Sequence, residues 1–133
     1  MGSTREFRGQ NTKGEWFYGG ISPNGNILYD DYDAKMGYIG WRELHPINKD
    51  TIGQFTGFYD CNRKEIYEDD ILQEKNFLQL KYKVEMFEGC WTAFTDFSME
   101  YLNDLLENTK VEIIGNTHDN PELLDGDGNV RNY

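Results

Sequence analysis

The sequence predicts a mainly β protein with one short α-helix, and three observations support this fold class. Residues 80–86 alternate strictly between apolar and charged side chains, as a strand with one buried face requires. Turn-forming residues recur about every ten positions, a spacing that favours short strands over long helices. Only the segment after Ser98 carries apolar residues at helical spacing.

The N-terminal elements are predicted from aromatic residues and turn signals. An aromatic run favours a strand over residues 15–21, because aromatic side chains are enriched in strands. Pro23 and Gly25 then supply a turn, since Pro presets φ and Gly accepts positive φ. We expect a return strand over 26–29, an acidic loop over 30–33 and a short strand over 38–41.

The remaining elements follow a polar seam over residues 46–50, where Pro46 fixes the backbone. Turns are expected at 60–64, 69–70 and 88–89, where Gly, Asp and Asn cluster. The strands between and after them are predicted over 52–56, 65–67, 71–72, 80–86, 90–94 and 111–114.

The helix is predicted to begin near Ser98, whose hydroxyl is a good N-cap for otherwise unpaired backbone N–H groups. Its apolar stripe is expected to pack into the core, and Asn108 with Thr109 should end it. The stripe consists of Met99, Leu102, Leu105 and Leu106.

A chain of 133 residues fits one domain with a single core. We predict that this domain covers residues 1–124, with an N-terminal β sub-region over 1–50 and the core and helix over 51–124. Residues 125–133 form an acidic, Gly-rich tail. Its first residues imitate half of a calcium loop, but Val130 stands where that loop needs Gly.

Charge and cysteine content limit the classes of partner and compartment. With 24 acidic and 13 basic side chains, the net charge of −11 makes duplex nucleic acid an unfavourable partner. Two alternatives stay open: an acidic face that mimics DNA or docks a basic protein, and a nucleic-acid-associated protein. No apolar run is long enough to span a membrane, and two cysteines suit a reducing cytoplasm.

Three blocks of sequence resemble the YopX family, proteins encoded by phages and prophages that have no established activity. The first comprises REFRGQ at residues 5–10 with GEWFYG at 14–19, and the second comprises GQFTG at 53–57 with EIYEDDI at 65–71. The third is IIGNTHDNPELL at 113–124. Arg63 and Asp69 depart from the family, which commonly has Gly at both turns, so strain or another turn type is expected there.

The resemblance implies a phage or prophage accessory protein acting in the cytoplasm of a bacterial host. The acidic turn before a long strand is also similar to that of SH3-like small barrels. It implies a barrel core made by residues 66–84, 90–94 and 111–114, with the N-terminal strands as an extension.

The acidic cluster of Glu68, Asp69 and Asp70 suggests an alternative function as a metal-assisted enzyme, because paired carboxylates perform acid–base chemistry. No histidine, no H-E-x-x-H motif and no G-x-S-x-G motif completes such a set, and a solvated turn is the simpler interpretation. Cys61, Cys90 and the two histidines are too scattered for a typical zinc site. We therefore predict no catalytic residue, metal or cofactor, with Cys61 in a turn and Cys90 in the core.

The 20 aromatic residues are many for this length. Aromatic side chains are favoured at protein interfaces, because rigid rings bury much area at little entropic cost. We therefore expect a self-associating protein-interaction module that binds itself or a host or phage protein. Phe55, Phe58 and Tyr59 are the predicted partner-binding residues.

Overall fold

The computed structural model describes residues 6–22, 27–29 and 44–124, and the chain divides into two compact units between Phe55 and Thr56. The predictions made for the turn at 23–25, the loop at 30–33, the strand at 38–41 and the tail at 125–133 lie outside the described residues.

The first unit is an antiparallel sheet in the order β4-β3-β2-β1-β5, where β5 passes into the second unit. The predicted strands over 15–21 and 26–29 are confirmed as β2 and β3. A 3-10 turn, Lys49–Thr51, begins within the predicted seam, with Asn48 as its N-cap. The strands are β1 (Phe7–Gln10), β2 (Trp16–Ile21), β3 (Ile27–Tyr29), β4 (Leu44–Pro46) and β5 (Gly53–Tyr59).

The second unit contains the end of β5, which pairs with β6, and a five-stranded antiparallel sheet in the order β10-β9-β8-β7-β11. One helix, α1, follows β10 within the described residues, and a 3-10 turn, Pro121–Leu124, follows β11. The elements are β6 (Glu65–Tyr67), β7 (Asp70–Glu74), β8 (Lys81–Phe87), β9 (Cys90–Phe94), β10 (Met99–Tyr101), α1 (Leu102–Asn108) and β11 (Val111–Asn116).

The core of the second unit lies between one face of this sheet and α1. Tyr82 and Val84 of β8 are buried, while the charged Lys83 between them is partly exposed, so the predicted alternation is confirmed in the middle of the strand. Met86, near its end, is exposed. The helix contributes Leu102 and Leu105 to the same cluster, as its apolar stripe predicts. The other buried members are Ile66, Leu72, Ala93 and Val111.

The described strands do not close into the small SH3-like barrel expected from the sequence. Strands β10 and β11 lie at opposite ends of an open sheet. Closure needs a hydrogen-bonded partner for both end strands. Instead, Asp60 and Cys61 bond to β11, and β10 leads directly into α1.

The predicted start of the helix near Ser98 is wrong. The Ser98 N–H donates to Thr95 Oγ1 at 2.9 Å in a tight turn, and β10 follows. The helix begins at Leu102, with Tyr101 at the N-cap position and no side-chain cap bond. Pairing of β10 with β9 overrides local helix preference, and it leaves Met99 exposed instead of in the core.

The two departures from the family pattern resolve as strain, because both residues keep the left-handed conformation that suits Gly. Arg63 has φ of 66° and Asp69 has φ of 73°. Arg63 and Asp69 therefore adopt a backbone conformation that costs free energy for residues other than Gly.

Cysteine placement is half as predicted. Cys61 is an exposed turn residue, in agreement with the sequence analysis. Cys90 is also exposed, so its expected place in the core is wrong. It pairs with Phe87 at the outer end of the β8–β9 hairpin, beyond the reach of the core.

Candidate interaction surface

The three predicted partner-binding residues differ in their exposure. Phe58 packs against the core of the second unit, and Phe55 is half-buried. Tyr59 is the one that is well exposed. Gly57, with φ of 87°, interrupts the regular alternation of β5 between them.

The predicted acidic cluster does not converge on one point. The buried carboxylate of Asp70 accepts from the Tyr67 N–H at 2.7 Å. Asp69 Oδ2 lies 3.2 Å from His118 Nε2, so a histidine does reach the cluster, against the sequence prediction. Both side chains of this pair are about one-fifth exposed.

The Asp69–His118 pair joins the turn before β7 to the loop after β11. The backbone reinforces it, since Thr117 N–H donates to Asp69 C=O and Asp69 N–H donates to Val84 C=O. A paired carboxylate and imidazole could move a proton. However, the hydrogen bonds around the Asp69–His118 pair indicate a structural role, because they hold the turn before β7 against the loop after β11. Within the described ranges, no group of three or more His, Cys, Asp or Glu side chains could hold a metal ion.

One end of the five-stranded sheet, strand β11, is covered by the turn after β5. Asp60 Oδ2 accepts from Ile113 N–H at 3.0 Å, and Cys61 N–H donates to Val111 C=O at 2.9 Å. These bonds occupy groups that would otherwise form an exposed sheet edge.

Two further edge strands are also blunted. In the first unit, β4 ends at Pro46, which has no N–H to offer an added strand. In the second unit, β6 gives the Tyr67 N–H to the Asp70 carboxylate.

Strand β10 differs from these edges because outward backbone groups remain available along it. The Thr95 N–H donates to Ser98 C=O, so these two residues form a hydrogen-bonded pair. Hydrogen-bonded and non-hydrogen-bonded pairs alternate along an antiparallel ladder. Met99 and Tyr101 are therefore in non-hydrogen-bonded pairs with β9, and Glu100 is in a hydrogen-bonded pair with Ala93. The N–H and C=O of Met99 and the N–H of Tyr101 consequently point away from β9. No other described strand lies on that side.

The two faces of β10 differ in chemistry. Ladder partners share a face, so Met99 and Phe94 lie on one side with Tyr101. Phe94 packs edge-on against Phe87, with ring centroids 5.7 Å apart. We call Phe87, Phe94, Met99 and Tyr101 the edge patch. Met99 and Tyr101 are each 52% exposed.

The other face of β10 carries Glu100, with the carboxylates of Glu74 and Asp104 nearby. We call these three residues the acidic rim. Glu100 lies in line with Ala93 and Val84, on the core side of the sheet. Burial raises the pKa of Glu100, and the nearby carboxylates of Glu74 and Asp104 raise it further. The ionised form of Glu100 is therefore disfavoured by its surroundings.

A second exposed apolar feature lies at the turn between β7 and β8. Phe77 is 96% exposed, and Leu78 beside it is also exposed. Asn76 Oδ1 accepts from the N–H groups of Leu78 and Gln79, which holds this turn in place. It offers side chains alone, whereas β10 offers side chains and backbone together.

Strand β10 was not predicted, because Met99 also fits the helical stripe. A signal was present, since Met99-Glu100-Tyr101 alternates as a strand does. Three residues are too few to outweigh the helical spacing that follows.

In the described parts of the chain, no helix has both the length and the apolar character needed to cross a membrane.

Comparison with known proteins identifies a family and a similar solved structure. A family model described as YopX protein matches residues 6–125. No curated protein sequence gives a significant match. The crystal structure of protein EF1440 from Enterococcus faecalis is similar, with a TM-score of 0.52 and 22% sequence identity. That similarity covers 90% of this chain and 97% of the other, and it extends to the fold alone.

Proposed function

This chain belongs to the YopX protein family, and we propose that it is a protein-interaction module that binds an extended segment of another protein along β10. The supporting observation is the open edge of β10, in contrast to the blunted edges of β4, β6 and β11. In line with the family resemblance, we place this activity in a phage or prophage accessory protein within the bacterial cytoplasm.

Strand addition at β10 requires backbone groups and side-chain contacts on the same edge. The Met99 N–H and C=O and the Tyr101 N–H supply the hydrogen bonds, and such bonds form with any sequence. The edge patch supplies apolar area beside them. Because the edge is short, we expect a modest affinity and a rapidly reversible complex.

A foreign segment fits this edge better than a second copy of the chain. Two antiparallel β10 strands centred on Glu100 would place the two Glu100 side chains directly opposite, where like charges are destabilising. The net charge of −11 on each copy adds to this repulsion. Self-association remains a prediction, and light scattering tests it. A stable dimer that is lost in Met99→Pro would mean that the partner bound at β10 is a second copy of the chain and not a segment of another protein.

The test compares edge-blocked and control variants in peptide binding. Short random peptides are selected on the immobilised protein, and the binding of enriched peptides is then measured on Met99→Pro and Met99→Thr. Pro removes the outward N–H without breaking a bond to β9, whereas Thr keeps it. Thermal melts confirm that both variants fold.

We expect Met99→Pro to weaken binding roughly tenfold or more and Met99→Thr to weaken it only slightly. Added peptide should also slow hydrogen exchange at the amides of Met99 and Tyr101. If the enriched peptides bind Met99→Pro as tightly as the unchanged protein, or if none are enriched, strand addition at β10 is refuted.

A further inference from the structure

The sequence of the segment bound at β10 can be inferred from the two faces of this strand, an inference that rests on the proposed function. A strand added to β10 has one residue opposite each of Met99, Glu100 and Tyr101. The partner residue opposite Glu100 lies on the core side of the sheet, and its two neighbours lie on the side of the edge patch. The two faces therefore select different side chains.

The residue of an added strand that faces Glu100 would lie close to it. The backbone groups of Glu100 bond inward to Ala93, so an added antiparallel strand meets Glu100 in a non-hydrogen-bonded pair. Cα atoms in such pairs are only about 4.5 Å apart, and their side chains interact strongly. The charge of Glu100 therefore acts directly on the side chain across from it.

The surroundings of Glu100 are acidic. The carboxylates of Glu74 and Asp104 act on Glu100 as like charges. Glu74 has its Oε2 engaged by the Tyr82 hydroxyl at 2.7 Å. Lys75, next to Glu74 in sequence, is paired with Glu112 at 2.8 Å. An incoming ammonium or guanidinium group would thus reduce the repulsion among three carboxylates.

The positions opposite Met99 and Tyr101 meet an apolar surface. Both side chains are half-exposed, and Phe94 lies next to Met99 across the ladder. Apolar or aromatic residues on the added strand would bury this area, whereas charged ones would lose hydration there.

We propose that the segment bound at β10 carries an apolar–basic–apolar pattern, with Lys or Arg opposite Glu100 and apolar residues opposite Met99 and Tyr101. The pattern is symmetric, so it applies to either direction of the added strand. A second copy does not carry this pattern in β10, because that strand presents Glu at its centre.

The test examines the composition of peptides selected on the unchanged protein, on Glu100→Lys and on Glu100→Gln, with melts to confirm folding. On the unchanged protein, enriched peptides should carry Lys or Arg between two apolar residues. Replacing that basic residue by Glu should weaken binding about tenfold, from a lost attraction and an added repulsion of roughly two- to fivefold each. Glu100→Lys should reverse the preference, and Glu100→Gln should remove it.

The outcomes separate this inference from the proposed function. If peptides enrich at β10 and are lost in Met99→Pro, yet carry no basic preference, only the charge pattern is wrong. The same holds if Glu100→Lys selects the same peptides as the unchanged protein. If no enriched peptide binds Met99→Pro more weakly than the unchanged protein, strand addition itself is refuted.

Discussion

The carboxylate of Asp60 accepts a hydrogen bond from the backbone N–H of Ile113, which lies 3.0 Å away and 53 residues later in the chain. Its other oxygen accepts from the N–H groups of Asn62 and Lys64. One buried side chain therefore shapes the turn between β5 and β6 and also covers the edge of β11.

Asp60→Asn is expected to lower the free energy of unfolding by about 1–3 kcal/mol, because an amide NH₂ would face a backbone N–H on one side. Chemical denaturation measures the change. The control is Asp50→Asn at an exposed position, where about 0.5 kcal/mol or less is expected. Equal effects of the two substitutions would show that the bonds of Asp60 contribute nothing specific.

Arg63→Gly is expected to raise the free energy of unfolding by about 0.5–1 kcal/mol, because Gly accepts φ of 66° without strain but costs more entropy to order. Asp69→Gly relieves the same kind of strain but loses the contact with His118. It should therefore stabilise less than Arg63→Gly in the same denaturation experiment. A larger gain for Asp69→Gly would mean that the histidine contact is not stabilising.

Tyr82→Phe is expected to cost about 1–3 kcal/mol, because it removes the donor to the buried Glu74 carboxylate and leaves that oxygen unsatisfied. Urea unfolding measures the loss. Tyr101→Phe removes the same hydroxyl from an exposed site and serves as the matched control. The two variants should differ clearly in their midpoints, and coincident midpoints would contradict the role of the Glu74 bond.

Glu100→Gln tests the acidic rim through the pH dependence of stability. Because the folded-state pKa of Glu100 lies above its ordinary value of 4.5, the folded protein holds the proton more tightly than the unfolded chain does. Stability from this group is present below pH 4.5 and is lost as the pH rises through the folded pKa. The melting temperature of Glu100→Gln should therefore gain on that of the unchanged protein between acidic and neutral pH. Parallel pH profiles would refute this.

Gly115→Ala tests the loop after β11, because an added Cβ would lie 2.4 Å from Asn120 Oδ1. That oxygen accepts from the Asn116 N–H, so it cannot move away without losing the bond. We expect a loss of about 1–3 kcal/mol. In an Asn120→Ala background the same substitution should cost much less, and a double-mutant cycle measures the difference. An additive cycle would place the cost of Gly115→Ala elsewhere.

The sequence predicted the elements whose signals are local. Strict alternation located β8, and the helical stripe placed Leu102 and Leu105 in the core. The start of α1 was wrong because Met99 fits both a strand and a helix, and only pairing with β9 decides between them. That same error concealed the open edge.

Contacts between distant residues could not be predicted from local pattern. His118 reaches Asp69 because Asn116 pairs with Asp70 across β11 and β7, a register that no single segment encodes. The covering of β11 by Asp60 likewise depends on residues far apart in the chain.

The pairing of β7 with β11 has a consequence for synthesis of the protein. The sheet cannot be completed until residues 111–116 have emerged from the ribosome, because β11 pairs with β7 and covers its free side. Until then, a sheet of β7 to β10 would have two open edges, and its core would lack Val111. We therefore expect the second unit to reach its stable fold only after β11 has emerged and to be most prone to aggregation just before that point.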